Sequence, residues 1–255
     1  MATYPIDRYA APRAVEMTRT MTAMGALVAL AAMAGGEHRR HDAFGLVRLN
    51  GESTKVHWTD GDSFNVRDGA YRGKGTRLVG YNTLEAYGPV HSWGEWTPEE
   101  LFEFAADAAR VAAAEEWSCS TDGKQDGYHR LLVSCPALAV EMARLGYGLA
   151  YAVDGAAAAP EVLEAQAQAQ AAGRGIWRRG VVRGIVTSVH SESESPGAEA
   201  YNRVVDTKTG QAVKRAHRQS YRTCELVCEE TQGARSCMVY VPFERRYRQK
   251  PACLR

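Results

Sequence analysis

Between Phe44 and Tyr81 apolar and polar positions alternate along "FGLVRLNGESTKVHWTDGDSFNVRDGAYRGKGTRLVGY", broken by Asn50-Gly51, Asp60-Gly61 and Gly73-Lys74-Gly75. A period of two interrupted by such turn residues predicts several short strands in a small barrel. The period then lengthens in "TPEELFEFAADAARVAAAEEW", which predicts a helix. Thr97 is its N-cap, Pro98 takes the first helical position and Glu100 completes a capping box. Leu101, Phe104, Ala105, Ala108 and Val111 fall on one face, predicted to pack on the strands. "EWSCSTDGKQDGYHRLLVSC" reads as a hairpin about Asp122-Gly123 and Asp126-Gly127, its two arms carrying Cys119 and Cys135 where a cross-strand disulfide can close it. Two more helices are expected over roughly 137–146 and 160–172, the last an Ala/Gln run ending at Gly173.

Past Trp177 the texture changes. "HSESESPGAE" is a polar loop, "AYNRVVDTKTGQAVKRAH" a hairpin about Lys208-Thr209-Gly210, and "SCMVYVPFERRY" a further strand. Four of the six cysteines, Cys224, Cys228, Cys237 and Cys253, lie here. So short a segment buries little core alone, so residues 179–255 are expected to form a β-rich extension held by two disulfides. Zinc is the competing use of Cys224-x-x-x-Cys228, but no histidine follows at finger spacing.

The overall composition, 45% hydrophobic and 24% charged, excludes a disordered chain. The net charge of +1 hides an asymmetry. Residues 1–177 hold 16 Lys+Arg against 22 Asp+Glu, and residues 178–255 hold 15 against 8. An acidic body with a basic tail points to polyanion contact or to docking of tail on body. Near the start, "MTRTMTAMGALVALAAMAGGEHRR" has Arg19, an apolar run from Ala23 to Ala34 and a closing Ala32-Met33-Ala34. This is the layout of a secretory signal over residues 1–34, with Gly35 as first mature residue and Met17 as an alternative start; an uncleaved signal anchor is the other reading. The run is short for a membrane span. Export to a secreted, periplasmic or cell-envelope location agrees with an even number of cysteines.

Three stretches carry candidate chemistry. "DGDSF" projects Asp60 and Asp62 from a strand turn; "RLVGYNTLEAYGP" sets Arg77, Asn82, Thr83 and Glu85 at close spacing; "DGYHRLL" holds Tyr128 and Arg130. Each alone has a structural explanation. Taken in order, and followed by "VEMARLGYGLAY" and "LEAQAQAQAAGRGIW", they make the chain resemble the thermonuclease (staphylococcal nuclease-like) family from about Val56 to Trp177.

The resemblance implies an α+β domain over residues 44–178: a five-stranded OB-type β-barrel with three packed helices, calcium dependence, and phosphodiester hydrolysis of DNA and/or RNA. It implies that Asp62, Asn82 and Thr83 hold Ca2+, that Arg77 and Arg130 clamp phosphate, and that Glu85 accepts a proton from water or positions it. Such roles suit the chemistry. Guanidiniums meet two phosphoryl oxygens at once, a carboxylate takes a proton, and hard oxygen donors suit calcium. Tyr128 and Tyr151 are candidates to border the nucleotide, or equally to pack in the barrel. The chain departs from the family at Asn82, where an aspartate is usual, at Leu84, which replaces a proline, and at His129, which replaces a glycine. Asn82 brings no charge, so a catalytically weak or inactive module that binds nucleic acid or a protein partner is the alternative. "VHSWGEW" places His91, Trp93 and Trp96 either at the barrel mouth or over the helix start. Under the nuclease reading the tail arginines, including Arg215, Arg218, Arg222 and Arg246, add backbone attraction; otherwise they are solvated surface.

Overall fold

Alternation and turns fold as expected at the start of the body. In the computed structural model, which describes residues 43–194, 197, 199–231, 234–246 and 252–254, β1 (Ala43–Leu49) and β2 (Glu52–Asp60) form an antiparallel hairpin through Asn50-Gly51. The signal segment falls outside the described residues. β3 (Ser63–Val66) pairs with β2 across the Asp60-Gly61-Asp62 turn. β4 (Thr76–Leu78) and β5 (Gly80–Thr83) follow, and β6 (Val90–Trp93) leads into α1 (Pro98–Ala113).

α1 begins as predicted. Thr97 accepts from the Glu100 backbone N–H while the Glu100 carboxylate accepts from the Thr97 N–H, a reciprocal cap. Its buried face is wider than the predicted stripe. Phe102, Ala106, Ala109 and Ala112 are buried with Leu101, Ala105 and Ala108, whereas Phe104 and Val111 are half-buried. Small alanines let strands approach from two sides, so the apolar surface is not one narrow line.

The expected hairpin around Asp126 is corrected. β7 (Trp117–Cys119) runs parallel to β1, and β8 (Leu131–Val133) runs parallel to β4. The two arms are joined not by a continuous ladder but by isolated bridges, Ser120–Ser134 and Gln125–Leu131, and by the Leu132 N–H donating to the Lys124 carbonyl at 2.8 Å. The reason lies in the loop. The Asp126 carboxylate accepts from the backbone N–H groups of Tyr128 and Arg130, coiling the chain into its own turn and freeing both strands for other partners. Cys119 and Cys135 are still bridged, as predicted.

α2 (Pro136–Leu145) ends at Gly146 in the left-handed conformation, and the chain returns as β9 (Gly148–Tyr151), antiparallel to β5. α3 is Pro160–Ala171. Among the described residues these ladders do not close into a ring; the architecture is α+β, with three helices and many short strands. One core joins Val47, Trp58, Phe64 and Leu78 to Leu138 and Met142.

The C-terminal part is joined to the body by backbone and by core. β10 (Gly184–Val189), β11 (Ala200–Asp206) and β12 (Ala212–His217) form an antiparallel sheet, with the β11–β12 hairpin at the predicted turn. β13 (Leu226–Thr231) pairs with β14 (Ala234–Val239), and β14 pairs in turn with β6. A second ladder contact links Ala152 to Gln211. Ile185 and Val205 are fully buried in one cluster with Trp93, Trp96, Leu101 and Trp177. Each such aliphatic side chain contributes about 1.5–3 kcal/mol by leaving water. His91, Trp93 and Trp96 are therefore buried at this seam and not at an open mouth. The two expected C-terminal disulfides are Cys224–Cys253 and Cys228–Cys237. No helix among the described residues is long and apolar enough to cross a membrane.

Candidate active site

The turn between β2 and β3 is held tightly against the body. A Cβ added at Gly61 would lie 2.6 Å from the Thr83 methyl and 2.7 Å from the Ala108 Cβ, so only glycine fits. The Tyr81 hydroxyl donates to the Gly61 carbonyl at 2.6 Å, and the Leu78 N–H donates to the Asp62 carbonyl at 2.9 Å. These bonds carry the Asp62 carboxylate to the start of β5.

There Asp62 is buried and fully engaged. Its Oδ1 accepts from Arg77 Nη1 at 2.7 Å and from the Ser63 hydroxyl at 3.0 Å; its Oδ2 accepts from the Thr83 backbone N–H at 2.8 Å. Arg77 also donates through Nη2 to Asn82 Oδ1, and the Asn82 amide nitrogen donates to the Thr83 carbonyl at 2.5 Å. Both ends of the Asn82 amide are thus specified, because a flipped amide would set two donors face to face. The Tyr151 ring lies 5.6 Å from the Arg77 guanidinium carbon. Arg77 is fixed from three sides. Burial alone would weaken its proton affinity, but the carboxylates of Asp62 and Glu85 outweigh that and hold it charged.

Glu85, two residues beyond β5, is half-buried. Desolvation and the neighbouring Asp62 push its carboxyl up to about 7, against the opposing charges of Arg77, Arg130 and Arg246. Asp60 is likewise raised well above the usual range, by desolvation and then by Asp62 and Glu85. Three carboxylates crowd one opening with one guanidinium wedged between them.

Arg130 is not drawn into direct contact with this cluster. Its guanidinium pairs with Asp126 in its own turn, at 2.8 and 2.7 Å, and its charge reaches Glu85 through space. Tyr128 is exposed, with its ring 5.6 Å from the Arg130 guanidinium carbon, so it does not pack inside. His129 sits at φ +62°, a left-handed conformation in which glycine carries no strain, and its side chain is exposed.

Oxygen donors for calcium are present: the carboxylates of Asp60 and Asp62 and the Thr83 carbonyl. The buried Thr83 hydroxyl has no hydrogen-bond partner, and the crowding of carboxylates is what a divalent cation relieves. The set fits a hard cation in kind. In the arrangement seen, these oxygens are already engaged: those of Asp62 by Arg77, Ser63 and the Thr83 N–H, the Thr83 carbonyl by Asn82, and the Asn82 oxygen by Arg77. No cluster of three His, Cys, Asp or Glu with metal-holding geometry occurs among the described residues.

No protein-family model and no curated protein matches the chain.

Two arginines reach the site that spacing did not point to. Burial raises the pKa of the Tyr151 hydroxyl, and the nearby positive charge of Arg203 on β11 opposes that rise. Arg246 bonds the Val241 carbonyl and Glu194 at 2.9 Å each, and its side chain lies against Gly88, where an added Cβ would be 3.1 Å from the Arg246 Cδ. They stand more than a hundred residues from Arg77, and no local pattern links them. The signal that existed was the positive balance of the C-terminal part.

Proposed function

We propose that the chain is an exported phosphodiesterase acting on DNA and/or RNA, with calcium as its cofactor and a partly open OB-type barrel as its frame. One observation supports the reading above the others. Glu85, a carboxyl poised near neutrality, stands beside a guanidinium that Asp62 and Asn82 hold rigid.

In this mechanism Arg77 receives two non-bridging phosphoryl oxygens without reorganising, since its plane is already set. Glu85 accepts the proton of the attacking water, for which a pKa near working pH is favourable. Arg130 leaves Asp126 to meet the phosphate from the far side, and Tyr128 and Tyr151 flank the nucleotide. Asp62, Thr83 and Asp60 would hold the calcium, which would supply positive charge to the reacting phosphate. Three intramolecular disulfides using every cysteine support an oxidising compartment.

A non-catalytic binding module is the second reading, favoured by the Arg77–Asn82 bond, which withholds the Asn82 oxygen from a cation. Plasmid cleavage with calcium and with EDTA separates the two. Calcium-dependent nicking is expected, and Arg77→Ala, Glu85→Ala and Arg130→Ala should each lower it by about a hundredfold or more. Retained nucleic-acid binding with no cleavage under any calcium concentration leaves the binding module.

A further inference from the structure

On β11, Tyr201 and Arg203 share one face, two residues apart. Directly opposite Arg203 in the antiparallel register stands Lys214 of β12. Like charges facing each other across a ladder repel, and neither forms an ion pair with a carboxylate among the described residues. Instead both cations gather over one ring: the Arg203 guanidinium carbon is 5.3 Å, and the Lys214 Nζ 5.0 Å, from the Tyr201 centroid. Arg215, the next residue along β12, points to the other face and is paired with Glu229 at 2.8 Å. The unneutralised pair is confined to the face that meets Tyr151.

That face adjoins the candidate active site. Ala152, next to Tyr151, bridges to Gln211, three residues before Lys214, and the Tyr151 ring lies 5.6 Å from the Arg77 guanidinium carbon. His190 lies 4.5 Å from the Tyr201 ring; burial first, then Arg246, Arg203, His217 and Lys214, lowers its pKa to about 4, so the imidazole stays neutral among cations. Tyr128, across the opening, is close enough to Tyr201 and Arg203 for both to affect its hydroxyl. Arg130, Arg203 and Lys214 are thus positive groups each set against a tyrosine ring, with Tyr128 exposed to solvent.

Resting on the nuclease reading, we infer that Arg203 and Lys214, gathered over Tyr201, form a subsite for a second phosphate on a nucleic-acid strand whose scissile phosphate lies at Arg77. The cations neutralise a neighbouring phosphate, whose charge removes their mutual repulsion. The C-terminal extension is then the second wall of the substrate groove.

The test is fluorescence anisotropy of a labelled single-stranded oligonucleotide, roughly 15 nucleotides long, bound to the full chain in EDTA over a range of salt. The variant Arg203→Gln/Lys214→Gln should bind about tenfold more weakly at low salt, with a log–log salt slope shallower by about 0.7. Arg203→Lys/Lys214→Arg should restore the slope, and Arg215→Gln should change neither quantity. Thermal unfolding checks that each variant is folded. Unchanged affinity in the Gln variant, weakened affinity with an unchanged slope, or no binding by the wild type each overturns the subsite. Because the readout needs no cleavage, the two ideas fail separately. A wild type that binds as described but never cleaves sinks only the nuclease, and one that cleaves while the Gln variant binds normally sinks only the subsite.

Discussion

His91 offers a direct measure of how firmly the C-terminal extension is joined to the body. It lies on β6 opposite Met238 of β14, 1% exposed, with its ring 6.0 Å from Trp93 and neither nitrogen geometrically well partnered. Burial lowers its pKa to about 3, against a weak opposing influence from the backbone of Val186. The folded state therefore keeps the ring neutral down to about pH 3, while the unfolded chain protonates it below its ordinary value of about 6.5. Between these limits the unfolded state binds more protons, so stability is complete above about pH 6.5 and falls as pH falls. At pH 5 the loss is roughly 2 kcal/mol, at 1.36 kcal/mol per unit. His91→Leu, close in volume, removes the titration and two unsatisfied nitrogens. Urea unfolding of both proteins at pH 8 and pH 5 isolates this group, because other titrations cancel in the difference. The variant's stability relative to wild type should rise by about 2 kcal/mol between the two pH values. A difference that stays constant with pH means that the ring is hydrated or partnered, and that the seam is looser than the burial of its residues implies.

Asn82→Asp sets a second carboxylate against Arg77 and frees an oxygen for a cation, so calcium should bind on the order of tenfold more tightly by calorimetry; no change places the cation away from this position. Gly61→Ala forces a methyl within 2.7 Å of Ala108 and should lower stability by about 1–3 kcal/mol in thermal denaturation. A variant as stable as wild type contradicts the close approach that holds Asp62 in place. Cys119→Ala/Cys135→Ala opens a link spanning 16 positions and should lower stability by about 3 kcal/mol in urea; an unaffected midpoint means the denatured chain was already constrained there.

What the sequence made legible follows how each feature is encoded. α1 could be read to the residue because its start is written in side chains three positions apart, Thr97 and Glu100, whose bonds are local. Asp62, Arg77, Asn82 and Thr83 were brought together only by the resemblance that their stretches carry in order, and the structure joins them through direct bonds. The parallel pairings β1–β7 and β4–β8 were missed because backbone hydrogen bonds carry no side-chain code, and the Asp126 turn that releases both strands looks like an ordinary hairpin tip. The same limit explains the larger omission. The extension is docked by the β6–β14 ladder and the Ala152–Gln211 bridge, so nothing in the spacing of Arg203 or Arg246 announces that they end beside Tyr151 and Glu85. The basic balance of residues 178–255 was visible as a number, but a number cannot separate Arg215, which is ion-paired, from Lys214, which is not. Only the two-residue period of β12 makes that division, sending one charge to Glu229 and the other over the Tyr201 ring. It is this geometric sorting, and not the total charge, that gives the extension a place in the proposed function.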